Sequence, residues 1–90
     1  MNKVRHRIVF SGRVQGVGFR YRSKYAAEGY GVTGWVRNEP DGTVLMEAQG
    51  SCDQINEMIK LINQSAYIII DSLDRQEVAV DPEERGFHIR

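Results

Sequence analysis

The chain has 90 residues, 12 Lys+Arg, 12 Asp+Glu and 41% apolar residues, a length that supports one domain over residues 1–90 with a folded surface of about 5,300 Å². Its longest apolar run, Ala66 to Ile70, is too short to span a bilayer. The start is basic and polar rather than an apolar signal core, and the one cysteine, Cys52, has no internal partner, so a cytoplasmic protein with no disulfide is expected. The formal net charge of zero is a cancellation: residues 1–27 carry Lys3, Arg5, Arg7, Arg13, Arg20, Arg22 and Lys24 with no acid, and the rest holds five bases and all 12 acids. A basic third suggests an anionic partner (a phosphate group, a nucleic acid or a membrane surface) or attraction to the acidic remainder.

The first element is a strand, because His6, Ile8, Phe10, Gly12 and Val14 alternate with Arg5, Arg7, Val9, Ser11 and Arg13. Gln15 to Gly18 reads as a tight loop with two glycines. From Phe19 the spacing becomes helical, with Phe19, Ser23, Ala26, Ala27 and Tyr30 on one face and an end near Glu28 to Tyr30, where Gly29 and Gly31 can cap it. Val32 to Glu39 is a second strand, in which Gly34, Val36 and Asn38 share the helix-facing side. Pro40-Asp41-Gly42 is a turn, since proline presets one dihedral and glycine accepts a positive one. Val44 to Gln49 completes the hairpin. After Gly50, Ser51 and Gln54 form a capping box for a helix whose apolar face is Ile55, Met58, Ile59 and Ile62. Tyr67 to Ile70 begins a further strand that continues irregularly towards Val80. Asp81 to Arg85 is an acidic connector, and Phe87 with Ile89 can add a short fifth strand. The order β-α-β-β-α-β predicts an α+β, ferredoxin-like (split βαβ) sandwich, an antiparallel sheet with both helices on one face.

Chemistry concentrates in the loop before the first helix. Arg20 sits in the first helical turn, beside the positive end of the macrodipole, an unfavourable choice of about 0.3 to 1 kcal/mol that a bound anion would resolve. Backbone N–H groups at such a helix start converge on phosphate, the glycines permit close approach, and an arginine fork adds charge-assisted hydrogen bonds. The bland alternative is a tight strand-to-helix turn with a solvated Arg20. Neither the Walker loop nor the dinucleotide fingerprint is present.

The segment Gly12 to Arg20, GRVQGVGFR, closely resembles a signature of the acylphosphatases. A second stretch, GWVRN followed by PDGTV and Gly50, is similar to the family's other signature, with Gly34, Asn38, Gly42, Val44 and Gly50 in register. The likeness runs down to Gly86-Phe87-His88-Ile89-Arg90. It implies hydrolysis of carboxyl phosphates to a carboxylate and inorganic phosphate without cofactor or metal. It also implies a phosphate-binding loop of Gln15, Gly16, Val17, Gly18, Phe19 and Arg20, with Arg20 and backbone amides on the phosphoryl group and Asn38 orienting the attacking water. Asn38 would meet the loop if strands one and two are neighbours. A good carboxylate leaving group leaves the protein mainly to position groups and stabilise charge. Two departures stand out: Asn63-Gln64-Ser65-Ala66 replaces a turn often rich in glycine and proline, and Arg22 stands where relatives are often aromatic, a place from which it would widen the basic field.

Other residues read as structural. Cys52, His6 and His88 lie on different elements without metal-ligand spacing, and Tyr21, Tyr25 and Tyr30 read as core or snorkelling aromatics, Tyr30 in the core stripe. The rival function is an RRM-like single-stranded RNA-binding module, which shares the architecture and would welcome a basic third. It needs aromatics on the open sheet face, where strand three offers Leu45, Glu47 and Gln49 with only Trp35 beside them. The partner expected is therefore a small acyl phosphate, with no nucleic acid, no membrane and a monomeric chain.

Overall fold

In a computed structural model describing residues 2–90, the opening alternation becomes β1 (Val4–Arg13), followed by α1 (Phe19–Tyr30), β2 (Thr33–Asn38), β3 (Val44–Gly50), α2 (Cys52–Asn63), β4 (Ile69–Val78) and β5 (Phe87–Ile89). The sheet order is β4-β1-β3-β2-β5. Pairing places Ile8 opposite Met46 and Met46 opposite Val36, and in the next row Phe10 opposite Val44 and Val44 opposite Asn38. These rows face the helices. They pack against Phe19, Ala26 and Ala27 of α1 and Ile55, Met58 and Ile62 of α2 in one buried cluster. The accessible surface, 5337 Å², is close to that expected from chain length alone.

The helix ends follow the sequence signals. Gly31, with φ of 71°, caps α1 in the left-handed region, and its N–H donates to Ala27 O. Ser51 and Gln54 close a reciprocal capping box on α2, satisfying two otherwise orphan donors. Tyr30 departs from the expected core stripe and is 36% exposed, and Tyr21 and Tyr25 are more exposed still. The helix's buried strip is narrow, carried by Phe19, Ser23, Ala26 and Ala27.

The sheet is mixed rather than wholly antiparallel: β5 runs parallel to β2, with Gly34 opposite Phe87 and Val36 opposite Ile89. The reason lies in the connector. β4 ends at Val78, opposite Arg5 at the start of β1, and the chain then crosses beneath the sheet at that end. Gln49 Nε2 donates to Asp81 O and its Oε1 accepts from Asp81 N–H, both at 2.8 Å. Arg5 forks onto Glu84 at 2.7 and 3.0 Å and donates to Glu47 at 2.7 Å. Gly34 N–H then donates to Gly86 O at 3.0 Å, so β5 enters where β2 begins and runs the same way.

Candidate active site

Two buried side chains pin the loop after β1. Val14 and Phe19 are each 1% exposed, and the Phe19 ring packs on Phe10 with centroids 4.9 Å apart. Between these anchors Gly16 and Gly18 adopt φ of 72° and 79°, where a Cβ would meet nothing within 4 Å. The glycines are thus required by backbone conformation and leave the loop's outer side clear. Phe19 commits its side chain to the core, so only its backbone is available to a ligand. Val17 is half-buried against the core.

The two helix starts differ in a telling way. α2 has its capping box and Asp53 in the first turn, whereas α1 has no side-chain cap and no acid there. The first helical hydrogen bond of α1 runs from Arg22 N–H to Gly18 O at 3.0 Å, which leaves the preceding amides without helical acceptors. Arg20 stands in that turn, half-buried, and among the described residues no carboxylate lies within 4.0 Å of its guanidinium. Exposed amides, the positive pole of the dipole and an unpaired guanidinium together suit a phosphoryl dianion.

Asn38 ends β2 on the helix-facing side, opposite Val44, as expected. Its Oδ1 is buried and has no hydrogen-bond partner among the described residues. An orphan of this kind costs about 1–3 kcal/mol, and such exceptions concentrate where a group must remain available. The following turn is held by bonds of its own. Gly42 N–H donates to Glu39 O at 3.1 Å, and the Thr43 hydroxyl and N–H donate to Asp41 Oδ1 at 2.6 and 3.0 Å. Those bonds, the hydroxyl foremost, hold the Asp41 carboxyl below its usual range.

The condition that strands one and two be neighbours is not met, because β3 lies between β1 and β2. Two strand spacings set Asn38 about 9–10 Å from Phe10, the β1 residue level with it across Val44. The link between the loop and the turn after Asn38 is Gln15, whose Nε2 donates to both Glu39 O and Thr43 O at 2.8 Å. Sequence reasoning assigned Gln15 to the loop but missed this reach, since a side-chain bond to a distant carbonyl leaves no periodic trace.

Most of the basic third is spoken for. Arg5 is 5% exposed and bound to Glu84 and Glu47; the Glu84 bond, with Glu47 in support, raises its pKa against the opposing effect of burial. Arg7 lies 3.5 Å from Glu47, and Lys24 pairs with Glu28 at 3.0 Å. Arg22 does not widen the field at the pocket. It donates to Leu61 O and Ile62 O at 2.7 to 3.2 Å, tying α1 to the last turn of α2.

His6 Nδ1 accepts from Arg75 Nε at 2.8 Å, and His88 Nε2 lies 2.7 Å from Arg85 O. Among the described residues no three His, Cys, Asp or Glu side chains cluster as metal ligands, and no helix is long and apolar enough to cross a membrane. On the open sheet face, Trp35 is only 6% exposed and lies under the guanidinium groups of Arg37 and Arg90, at 5.3 and 4.9 Å. Nothing there supports base stacking.

Comparison with known proteins agrees with this geometry. The family model described as acylphosphatase matches residues 6–89. An acylphosphatase of Clostridium perfringens is 39% identical over 85 residues, covering 93% of this chain and 96% of the relative. One from Oceanobacillus iheyensis is 36% identical, covering 97% and 99% respectively. The crystal structure of acylphosphatase from Bacillus subtilis superposes with a TM-score of 0.87 at 30% identity, covering 97% of this chain and 98% of that one. Glycine loop, open helix start and whole-length likeness converge on one conclusion: the chain belongs to the acylphosphatase family.

Proposed function

We propose that this acylphosphatase cleaves the P–O bond of a carboxyl phosphate by in-line attack of a water. The amides of Gln15 to Phe19 and the Arg20 guanidinium hold the three phosphoryl oxygens, and the Asn38 amide orients the water. The water oxygen forms the new bond to phosphorus as the acyl oxygen departs as a carboxylate. One water proton passes to a phosphoryl oxygen, so R-CO-O-PO₃²⁻ and H₂O become R-COO⁻ and H₂PO₄⁻. No strong base is needed with so good a leaving group, and positioning with charge stabilisation carries the step.

The observation that carries this reading is the buried, unpaired Oδ1 of Asn38, an acceptor suited to a water O–H. In this reading the substrate is a small molecule and the chain acts as a single cytoplasmic domain over residues 1–90, monomeric, without nucleic acid or membrane. Phosphate release from benzoyl phosphate in metal-free buffer tests it. The expected result is turnover well above spontaneous hydrolysis, and a rate no faster than the blank refutes the proposal.

A further inference from the structure

Gln15 has both hydrogens of its side-chain amide committed, one to Glu39 O and one to Thr43 O, each at 2.8 Å. The same two carbonyls close the β2–β3 turn, accepting from Gly42 N–H at 3.1 Å and Glu39 N–H at 2.9 Å. Each carbonyl thus uses both lone pairs, one within the turn and one on Gln15. Asn38 is the residue immediately before Glu39. Among the described residues, these two bonds are the hydrogen bonds that join the 15–19 loop to the 39–43 turn. No backbone ladder does so, because β3 separates β1 from β2.

We propose that Gln15 is a positioning residue that fixes the separation between the phosphate loop and Asn38, and so the line from water to phosphorus. This rests on the roles proposed above for the loop and Asn38. Backbone amides and Arg20 bind the phosphoryl group on one side, Asn38 holds the water on the other, and among the described residues the direct hydrogen bonds between loop and turn are those of this amide. Losing the clamp lets the turn drift relative to the loop, while the loop, pinned by Val14 and Phe19, keeps its own shape. Misplacement of this kind costs rate rather than affinity.

The test compares Gln15→Leu, which removes both donors, and Gln15→Glu, which keeps the length but sets a carboxylate against two carbonyls. Each is made in the wild-type and Asn38→Ala backgrounds. We expect kcat on benzoyl phosphate to fall about tenfold or more in either variant, while the inhibition constant of inorganic phosphate stays within about twofold. In the Asn38→Ala background the same change should cost less than about twofold, because the group being positioned is gone. A general loosening of the fold would instead lower the rate equally in both backgrounds and weaken phosphate binding with it. Unchanged kcat in both Gln15 variants, or full additivity with Asn38→Ala, overturns the positioning role alone. A wild-type rate in Asn38→Ala overturns the water assignment, and the positioning role with it. Should Gln15→Leu fail to fold, as judged by circular dichroism, Gln15→Glu gives the same readings.

Discussion

An amide oxygen buried without a partner is a stability cost held at one position, and Asn38 has one at the end of β2. Its neighbours do not share the trait: Thr43 and Asp41 satisfy each other within the turn. Removing the orphan should separate function from stability. Asn38→Ala is expected to lower kcat about 10²-fold with little change in phosphate inhibition, and to leave the urea midpoint unchanged or raise stability by up to about 1 kcal/mol. Arg20→Ala should behave differently, losing phosphate inhibition and kcat/KM together, by about 10³-fold in the latter. Steady-state kinetics with phosphate as inhibitor, alongside urea unfolding, distinguish the two. Turnover unchanged in Asn38→Ala would remove that residue from the mechanism.

Among the elements, the device that sets sheet topology is the connector between β4 and β5, and its anchor is Arg5. This guanidinium is buried on the open face, bound to Glu47 of β3 and Glu84 of the connector. Deleting one member of a buried ion pair leaves uncompensated charge behind. Arg5→Leu is accordingly expected to destabilise the fold by about 3–5 kcal/mol, read as a lower urea midpoint. The inhibition constant of phosphate should not change in the folded fraction, since Arg5 lies at the end of the sheet away from the loop. Arg5 also shows where sequence reasoning stops. In β1 it occupies the same alternating set as Arg7 and Arg13, and nothing in the period distinguishes a buried arginine from a solvated one when its partners lie 42 and 79 residues away. What depends on neighbours in sequence was legible: the alternation of Ile8 and Phe10, the Ser51–Gln54 capping box, and the Gly16 and Gly18 loop. What depends on distant pairing was not, as with the parallel β5, the intervention of β3 between β1 and β2, and the reach of Gln15. Arg20 and Asn38 were named from the resemblance, and local physics alone marked only Arg20.

At the scale of the whole molecule, the division into a basic third and an acidic remainder is resolved by folding. Arg5 and Arg7 meet Glu47, and Arg5 meets Glu84, so part of the charge of the basic third is spent internally. A second global consequence is acid sensitivity. His6, facing the helices from β1, accepts from Arg75 Nε, and Arg75 also reaches Asn56 of α2 at 2.7 Å. Burial first, and then Arg75, lower the His6 pKa from its ordinary 6.5, with Glu77 opposing. In the window between that lowered value and 6.5 the unfolded chain binds more protons than the folded one, so stability rises with pH. The His6 contribution is therefore complete above 6.5 and is lost as pH falls through the folded value. Urea midpoints at about pH 7.5 and about pH 5 should show a loss on acidification in the wild type that is smaller in His6→Gln. An equal loss in both would assign acid sensitivity to the carboxylates alone.

β4, ten residues long, bounds the sheet on one side and, among the described residues, pairs only with β1. A strand of that length with a free row of N–H and C=O groups is a template for recruiting another chain, and Ile69 and Ile70 at its start favour such growth. Asp71, Asp74 and Glu77 punctuate the rest of it. Two copies approaching margin to margin would bring these carboxylates together, and their repulsion protects the chain against self-templating. Because that protection is made of surface charge, it is screened by salt: raised ionic strength is the condition under which margin-to-margin growth is least opposed.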